Sequence, residues 1–451
     1  MLNAKSFGAV GNGIINDTKA IQNALNAASQ TGEALYIPEG EYMCGALYIG
    51  SNTELVMSKN AVLAASGNPA DYPQGKGTMS GFLNINNAEN VSISGGQLRA
   101  EDKAFWEFPH SLSEKFEPCI SAEAWFYTKA KPWRFHMLDA SDSKRITISG
   151  VLCKDYPCYA YNLKRCSDVL LTDLIIRGKT YGINTDGIHI SSCKNVIVRS
   201  CNIRCGDDCI AIDSDFGVNG SGFTVSDCIL ETSVHAFRFY TGLDCTPEQP
   251  ITLSNITVSN CTVVDAAGIF NINARKGHIF NISVSNITAV QTRPGTAFVI
   301  STVEGRVDSV NFSGLTVNGN GCGLLSADKI GEIKDISISN SVFHITPCPK
   351  HYIPGHLINE GYNFPNHCHF KPVNFYIYQA QGVSFSNVTV SWEKGQFTDS
   401  WTKERREALK AAVAPATPEQ MEPKVFGAVN SLNSTVSYSG CCLPDYNDSD
   451  Y

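Results

Sequence analysis

Apolar and polar residues alternate in short phrases that recur along most of the chain. Asn90-Val91-Ser92-Ile93-Ser94 and Arg145-Ile146-Thr147-Ile148-Ser149 are followed by Asp168-Val169-Leu170-Leu171-Thr172 and Asn195-Val196-Ile197-Val198-Arg199. The series continues through Gly222-Phe223-Thr224-Val225-Ser226, Asn255-Ile256-Thr257-Val258-Ser259 and Asn281-Ile282-Ser283-Val284-Ser285 to Gly382-Val383-Ser384-Phe385-Ser386. Counted between first apolar residues, Val169 to Val196 is 27, Val196 to Phe223 is 27, Ile256 to Ile282 is 26 and Ile282 to Val310 is 28. A period of two marks strands with one buried face. Repeats this short cannot form domains, and no helical pattern separates the strands, so each repeat reads as one coil of a solenoid.

Two rows of residues support coils stacked in register. Cys201, Cys228, Cys261, Ile287, Leu315 and Val388 each fall five residues after a first apolar position, suiting an inward stack. One position earlier come Asn260, Asn286, Asn340 and Asn387, suited to a tight turn because Asn tolerates left-handed backbone angles. The expected fold is therefore all-β: a right-handed, single-stranded parallel β-helix over residues 1–392. A β-sandwich is the alternative, but its hairpins call for Asn-Gly or Asp-Gly turns, which are few here. Asp17-Thr18 followed by Ile21, Ala24, Leu25 and Ala28 predicts a capped amphipathic helix over about 17–29, plugging the N-terminal end. After Trp392 the pattern stops, and residues 393–451 read as a helical segment and a tail. Two long interruptions, Arg99 to Phe135 and Thr346 to Asn374, are expected to wall a binding groove.

Composition narrows the partners. Hydrophobic residues make up 43% and charged residues 17%, enough for a long core, and the net charge is −8. Nucleic acid is excluded, since phosphate binding needs a concentrated basic face. No apolar run approaches the roughly 18 residues of a membrane span. Met1 to Val10 lacks a basic region followed by an apolar one, as expected of a chain that stays in its cell or whose export signal has been removed. The 17 cysteines, many within strand phrases, read as reduced and buried small hydrophobes. No zinc spacing occurs, and neither metal nor cofactor is expected.

Chemistry concentrates on successive coils. Asp186 precedes the strand Ile188-His189-Ile190 by two residues, Asp208 precedes Ile210-Ala211-Ile212, and His235 precedes Phe237-Arg238-Phe239. The separations are 22 and 27, about one coil each, so the three side chains are expected to stack on one outer face. Asp207 adjoins Asp208, and on a regular strand one of the two would enter the core at prohibitive cost. Cys205-Gly206-Asp207-Asp208 is therefore expected to bend. Clustered carboxylates repel, so one should hold a proton near neutral pH. A protonated acid beside ionised carboxylates is the equipment of glycoside hydrolysis: one group protonates the departing oxygen, another activates water. His189 projects from the strand beside Asp186 and is a candidate to line the groove.

These residues resemble glycoside hydrolase family 28, the polygalacturonase and rhamnogalacturonan hydrolase family, over roughly residues 1 to 392. The resemblance rests on Phe7-Gly8-Ala9-Val10-Gly11-Asn12-Gly13, Asn184-Thr185-Asp186, Gly206-Asp207-Asp208 and a histidine where the family has Gly-His-Gly. It implies a pectin-lyase-like solenoid and an inverting hydrolase acting without metal on a pectic polysaccharide or oligosaccharide. By it, Asp207 is the general acid, Asp186 and Asp208 hold and activate water, and His235 supports the acid and contacts the sugar. Asn184 would line the site. The histidine stands in Val234-His235-Ala236, without either glycine. The family's substrate-gripping Arg-Ile-Lys aligns with Asn271-Ile272-Asn273, which leaves Arg238, Arg275 or Lys276 as substitute cations. A pectic side chain, a rhamnogalacturonan or terminal cleavage of oligosaccharides then becomes the expected chemistry. Two rivals remain: a Ca²⁺-dependent polysaccharide lyase with the aspartates as ligands, and a non-catalytic carbohydrate-binding β-helix.

Overall fold

The structure, a computed structural model, describes residues 1–73, 80–101, 106–107, 129–130, 134–180, 182–215, 217–242, 251–291, 297–319, 323–345, 373–392, 427–432 and 434–443. They divide into two compact units. The first holds the described residues up to Ala211 together with Gly222–Ile229; the second holds Ile212–Ser221 and the residues from Leu230 onward.

Both units are wound as parallel β-helix, as the repeat predicts. In the first, Glu89–Ser94, Lys144–Ser149, Ser167–Thr172 and Lys194–Arg199 pair in parallel. This aligns Val91, Ile146, Val169 and Val196 in one row and Ile93, Ile148, Leu171 and Val198 in another. None of the eight is more than 2% exposed. Burying each such side chain stabilises by roughly 1.5–3 kcal/mol, and the register is pinned because a one-residue slip would turn the row to solvent. A second sheet of this unit is built from Leu83–Asn86, Leu138–Ser141, Tyr161–Lys164 and Ile188–Ser191, again parallel and in register.

In the second unit Thr252–Ser259, His278–Gln291, Arg306–Gly319, Ile333–Ile345 and Ala380–Trp392 stack in parallel. A second set, His235–Thr241, Gly268–Ala274, Phe298–Thr302, Gly323–Ser326 and Val373–Tyr378, also stacks in parallel. Its core is aromatic. Phe270 stacks on Phe237 at 4.8 Å and on Phe298 at 5.7 Å, with Phe312 edge-on at 5.4 Å.

The inward row Cys201, Cys228, Cys261, Ile287, Leu315 and Val388 is buried throughout. Every described cysteine carries a free thiol. Asn260, Asn286, Asn340 and Asn387 all have φ between 49° and 54°, and the Asn286 amide donates to Asn260 Oδ1 at 3.2 Å. A second left-handed row opens the phrases themselves: Asn90, Asn195, Asn255 and Asn281 have φ of 54–59°, joined by bonds such as Asn90 Nδ2 to Asn52 Oδ1 at 2.8 Å.

The capping helix spans Thr18–Thr31 and buries Ile21, Ala24, Leu25 and Ala28. One expectation is corrected here. Asp17 stands before the helix, but its side chain makes no cap bond. Its two carboxylate oxygens instead accept from Val10 N at 2.8 Å and Gly11 N at 2.9 Å, tying down the opening loop. Beyond Trp392 the coils resume: Gly427–Leu432 pairs with Val373–Tyr378, and Val436–Ser439 with Ala380–Trp392. The intervening stretch hides that continuation from any fixed period. The segment 399–414 and most of both long interruptions lie outside the described residues. No helix among those described is long and apolar enough to cross a membrane.

Candidate functional site

In the first unit the backbone ladder sets the spacing of the acids. Gly187 N, just after Asp186, donates to Asp208 O at 2.9 Å, so Asp186 and Asp208 occupy adjacent rungs about 4.8 Å apart. Asp207 lies in the expected bend at Gly206–Asp207. The three acids are 3%, 5% and 1% exposed for Asp186, Asp207 and Asp208. Buried charge is costly unless hydrogen-bonded, and the partners are local. Asp207 Oδ2 accepts from Asn184 N at 3.1 Å, and Oδ1 from Asp208 N at 3.0 Å. Asp186 Oδ2 lies 3.0 Å from His189 Nδ1.

The loop that donates to Asp207 is itself fastened. Asn184 adopts a left-handed φ of 56°. The Arg134 guanidinium donates to Ile183 O at 2.7 Å and to Asn184 Oδ1 at 3.3 Å. Thr185 Oγ1 donates to Gly182 O at 2.7 Å and accepts from Gly206 N at 3.1 Å, linking the Asn184-Thr185-Asp186 turn to the Asp207 bend. The half-buried Cys158 thiol feels two of the acids together. Burial pushes it up to about 12, with Asp186 and Asp207 adding and Arg134 opposing.

Gly206 is required by close approach. A Cβ there would lie 2.3 Å from Lys179 O, 2.6 Å from Gly182 O and 2.6 Å from Thr185 Oγ1. Two of these atoms are backbone and cannot rotate away. Gly206→Ala is therefore expected to cost about 1–3 kcal/mol through overpacking. By displacing Asp207 it should also lower kcat by roughly 10²-fold. Thermal melting with steady-state kinetics checks both. Wild-type turnover in a folded variant would show that the bend does not need this contact.

The row of residues two before each strand extends further than the acids. Phe82 N donates to His136 O, Met137 N to Tyr159 O, and Ala160 N to Asp186 O, which puts His136, Tyr159, Asp186 and Asp208 on successive rungs. The His136 and Tyr159 rings stack at 4.6 Å, and Tyr159 and His189 at 4.5 Å. Burial pushes His136 down to about 3, so it stacks as neutral imidazole. Sequence reasoning missed Tyr159 and His136, although stepping the same offset back two coils would have found both.

In the second unit His235 is 2% exposed and its Nε2 lies 3.2 Å from Asn271 Nδ2. With the amide donating, the nitrogen facing it is an acceptor. Arg238 and Asn271 are register partners, as are Tyr240 and Asn273. The Arg238 guanidinium sits 5.2 Å from the Tyr240 ring centre. Burial raises the Tyr240 hydroxyl, opposed by Arg275, which hydrogen-bonds it, and by Arg238. Lys276 is exposed. The structure thus gathers Asn184, Asp186, His189, Asp207 and Asp208 in one unit, and His235, Arg238, Asn271 and Asn273 in the other. Among the described residues, no group of three or more His, Cys, Asp or Glu is arranged to hold a metal ion.

The model of the family described as glycosyl hydrolases family 28 matches residues 28–341, well over half of the chain. The chain belongs to glycosyl hydrolases family 28. A probable polygalacturonase of Vitis vinifera is 25% identical over 48% of the chain and 45% of its own length. An exopolygalacturonase of Zea mays is 24% identical over 70% of the chain and 83% of its own length. The chain spans about half the length of the first curated relatives it matches. Among solved structures, the exopolygalacturonase of Thermotoga maritima superposes with a TM-score of 0.65 at 18% identity, over 88% of this chain and 92% of that one, a likeness of fold. This family 28 member has Asp186, Asp207, Asp208 and His235 at the positions the resemblance named, and departs from it at Val234 and Ala236 and at Asn271 and Asn273.

Proposed function

We propose that the chain hydrolyses a glycosidic bond in a pectic polysaccharide or oligosaccharide, with inversion. The observation that carries this is the trio of acids, each at least 95% buried, on adjoining rungs within a hydrogen-bonded frame. Asp207 is the general acid: its carboxyl is oriented by Asn184 N and Asp208 N and delivers a proton to the departing oxygen. Asp186 and Asp208 hold and activate the water. His189 positions Asp186 by its Nδ1 contact, and its own ring is braced on Tyr159. His235, oriented by Asn271, hydrogen-bonds the sugar. Arg238 and Arg275 supply the cations that Asn271 and Asn273 do not. The names of the relatives, polygalacturonase and exopolygalacturonase, support a galacturonate-containing substrate and cleavage from a chain end.

The test is product chemistry on polygalacturonate and rhamnogalacturonan fragments. Hydrolysis releases new reducing ends, gives no ultraviolet-absorbing unsaturated product, and proceeds unchanged with a chelator. An absorbing product whose formation stops with the chelator would overturn the proposal in favour of a calcium-dependent lyase.

A further inference from the structure

We propose that Asn273, Ser301 and Ser326 form a row that binds the hydroxyls of uncharged sugar residues. The substrate would then be a mixed pectic chain containing neutral sugars, not a pure uronate polymer. This rests on the hydrolase reading above and names the substrate class of that enzyme.

The row follows from register. Asn273 pairs with Ser301, and Ser301 with Ser326, on three successive rungs. Phe270 and Ile272, like Phe298 and Ile300, are core residues of those strands, so alternation turns Asn273 and Ser301 to the outer face, and Ser326 by its register with Ser301. Yet the three are only 2%, 4% and 3% exposed. Asn273 Oδ1, Ser301 Oγ and Ser326 Oγ are buried with no hydrogen-bond partner in the protein. Buried polar atoms are nearly always satisfied, and three such exceptions on consecutive rungs of one face call for a ligand. A saccharide lying along the rungs meets one polar group every 4.8 Å or so.

The chemistry of the row selects the sugar. A carboxamide oxygen accepts, and a serine hydroxyl both accepts and donates, which suits hydroxyl groups. A uronate carboxylate calls for cations, best as charge-assisted pairs. Arg238 and Arg275 flank Tyr240, one rung before Asn273. From Asn273 onward the outward register positions are Ser301 and Ser326, beside Val299 and Leu324, with no charge among them. Val299 and Leu324 are 1% and 5% exposed and offer an apolar strip to the C–H face of a ring.

The experiment compares kcat/KM for rhamnogalacturonan and galacturonan oligosaccharides of equal length, in wild type, Ser301→Ala, Ser326→Ala and Asn273→Lys. Each serine variant should lower kcat/KM on the rhamnogalacturonan oligosaccharide by roughly three- to tenfold more than on the galacturonan one, mainly through KM. Asn273→Lys should shift preference toward the galacturonan oligosaccharide. Because an unpaired buried hydroxyl opposes folding, both serine variants should melt slightly above wild type without substrate. A lowered Tm, or equal losses on the two substrates, would overturn the proposal. Wild-type enzyme inactive on both would instead count against hydrolysis itself.

Discussion

With Asp207 as the proposed general acid, Asp207→Asn is expected to lower the rate of reducing-end release by about 10²–10⁴-fold, the usual contribution of such a positioned group. The carboxamide keeps the shape of the side chain but has no acid proton to give the leaving oxygen. Its structural cost is small and specific. Both Asp207 oxygens accept a backbone N–H, from Asn184 at 3.1 Å and from Asp208 at 3.0 Å, and an amide retains only one oxygen. One donor then faces an NH₂ group, which costs about 1–3 kcal/mol. A frame fastened by Arg134 and Thr185 should hold despite that loss. Activity measured on protein shown by its melting curve to be folded separates the two effects. A folded Asp207→Asn enzyme with near wild-type turnover would remove Asp207 from the chemistry.

The largest stability loss is expected in the aromatic core of the second unit. Phe270→Ala removes a side chain that is 1% exposed and touches Phe237, Phe298 and Phe312. Truncation of a buried aromatic costs about 3–5 kcal/mol, since strands tied by ladder bonds on both sides cannot close over the void. Phe270→Leu retains much of the volume and should lose considerably less. Urea denaturation reads both variants. A Phe270→Ala midpoint equal to that of Phe270→Leu would mean that the stack is looser than its geometry indicates.

Much of this molecule is legible in one dimension because a β-helix folds by a local rule. Each coil pairs with the coil before it, so the period-two phrases and their spacing near 27 state the architecture directly. The acids are legible for the same reason: an offset of two from the strand, carried over one coil, puts Asp186 and Asp208 on neighbouring rungs. The same offset reaches Tyr159 and His136, but residues that function by stacking carry no chemical signature of their own. The role of Asp17 was misread because its position fits a helix cap, whereas the N–H groups of Val10 and Gly11 outcompete the helix for its oxygens. The strands at Gly427–Leu432 and Val436–Ser439 escaped notice because the long insertion before them breaks the period.

The sequence by itself determined the parallel coils, their inward apolar rows, the left-handed asparagine turn and the proximity of the aspartates, because each depends on spacing alone. Only the tertiary structure decided which polar atoms are satisfied. It set the two backbone donors on Asp207, the steric demand for glycine at 206, and the His136–Tyr159–His189 stack. It also left Asn273 Oδ1, Ser301 Oγ and Ser326 Oγ buried without a hydrogen-bond partner in the protein. Hydrogen bonds and close contacts depend on direction and on tenths of an ångström, and no periodicity encodes those.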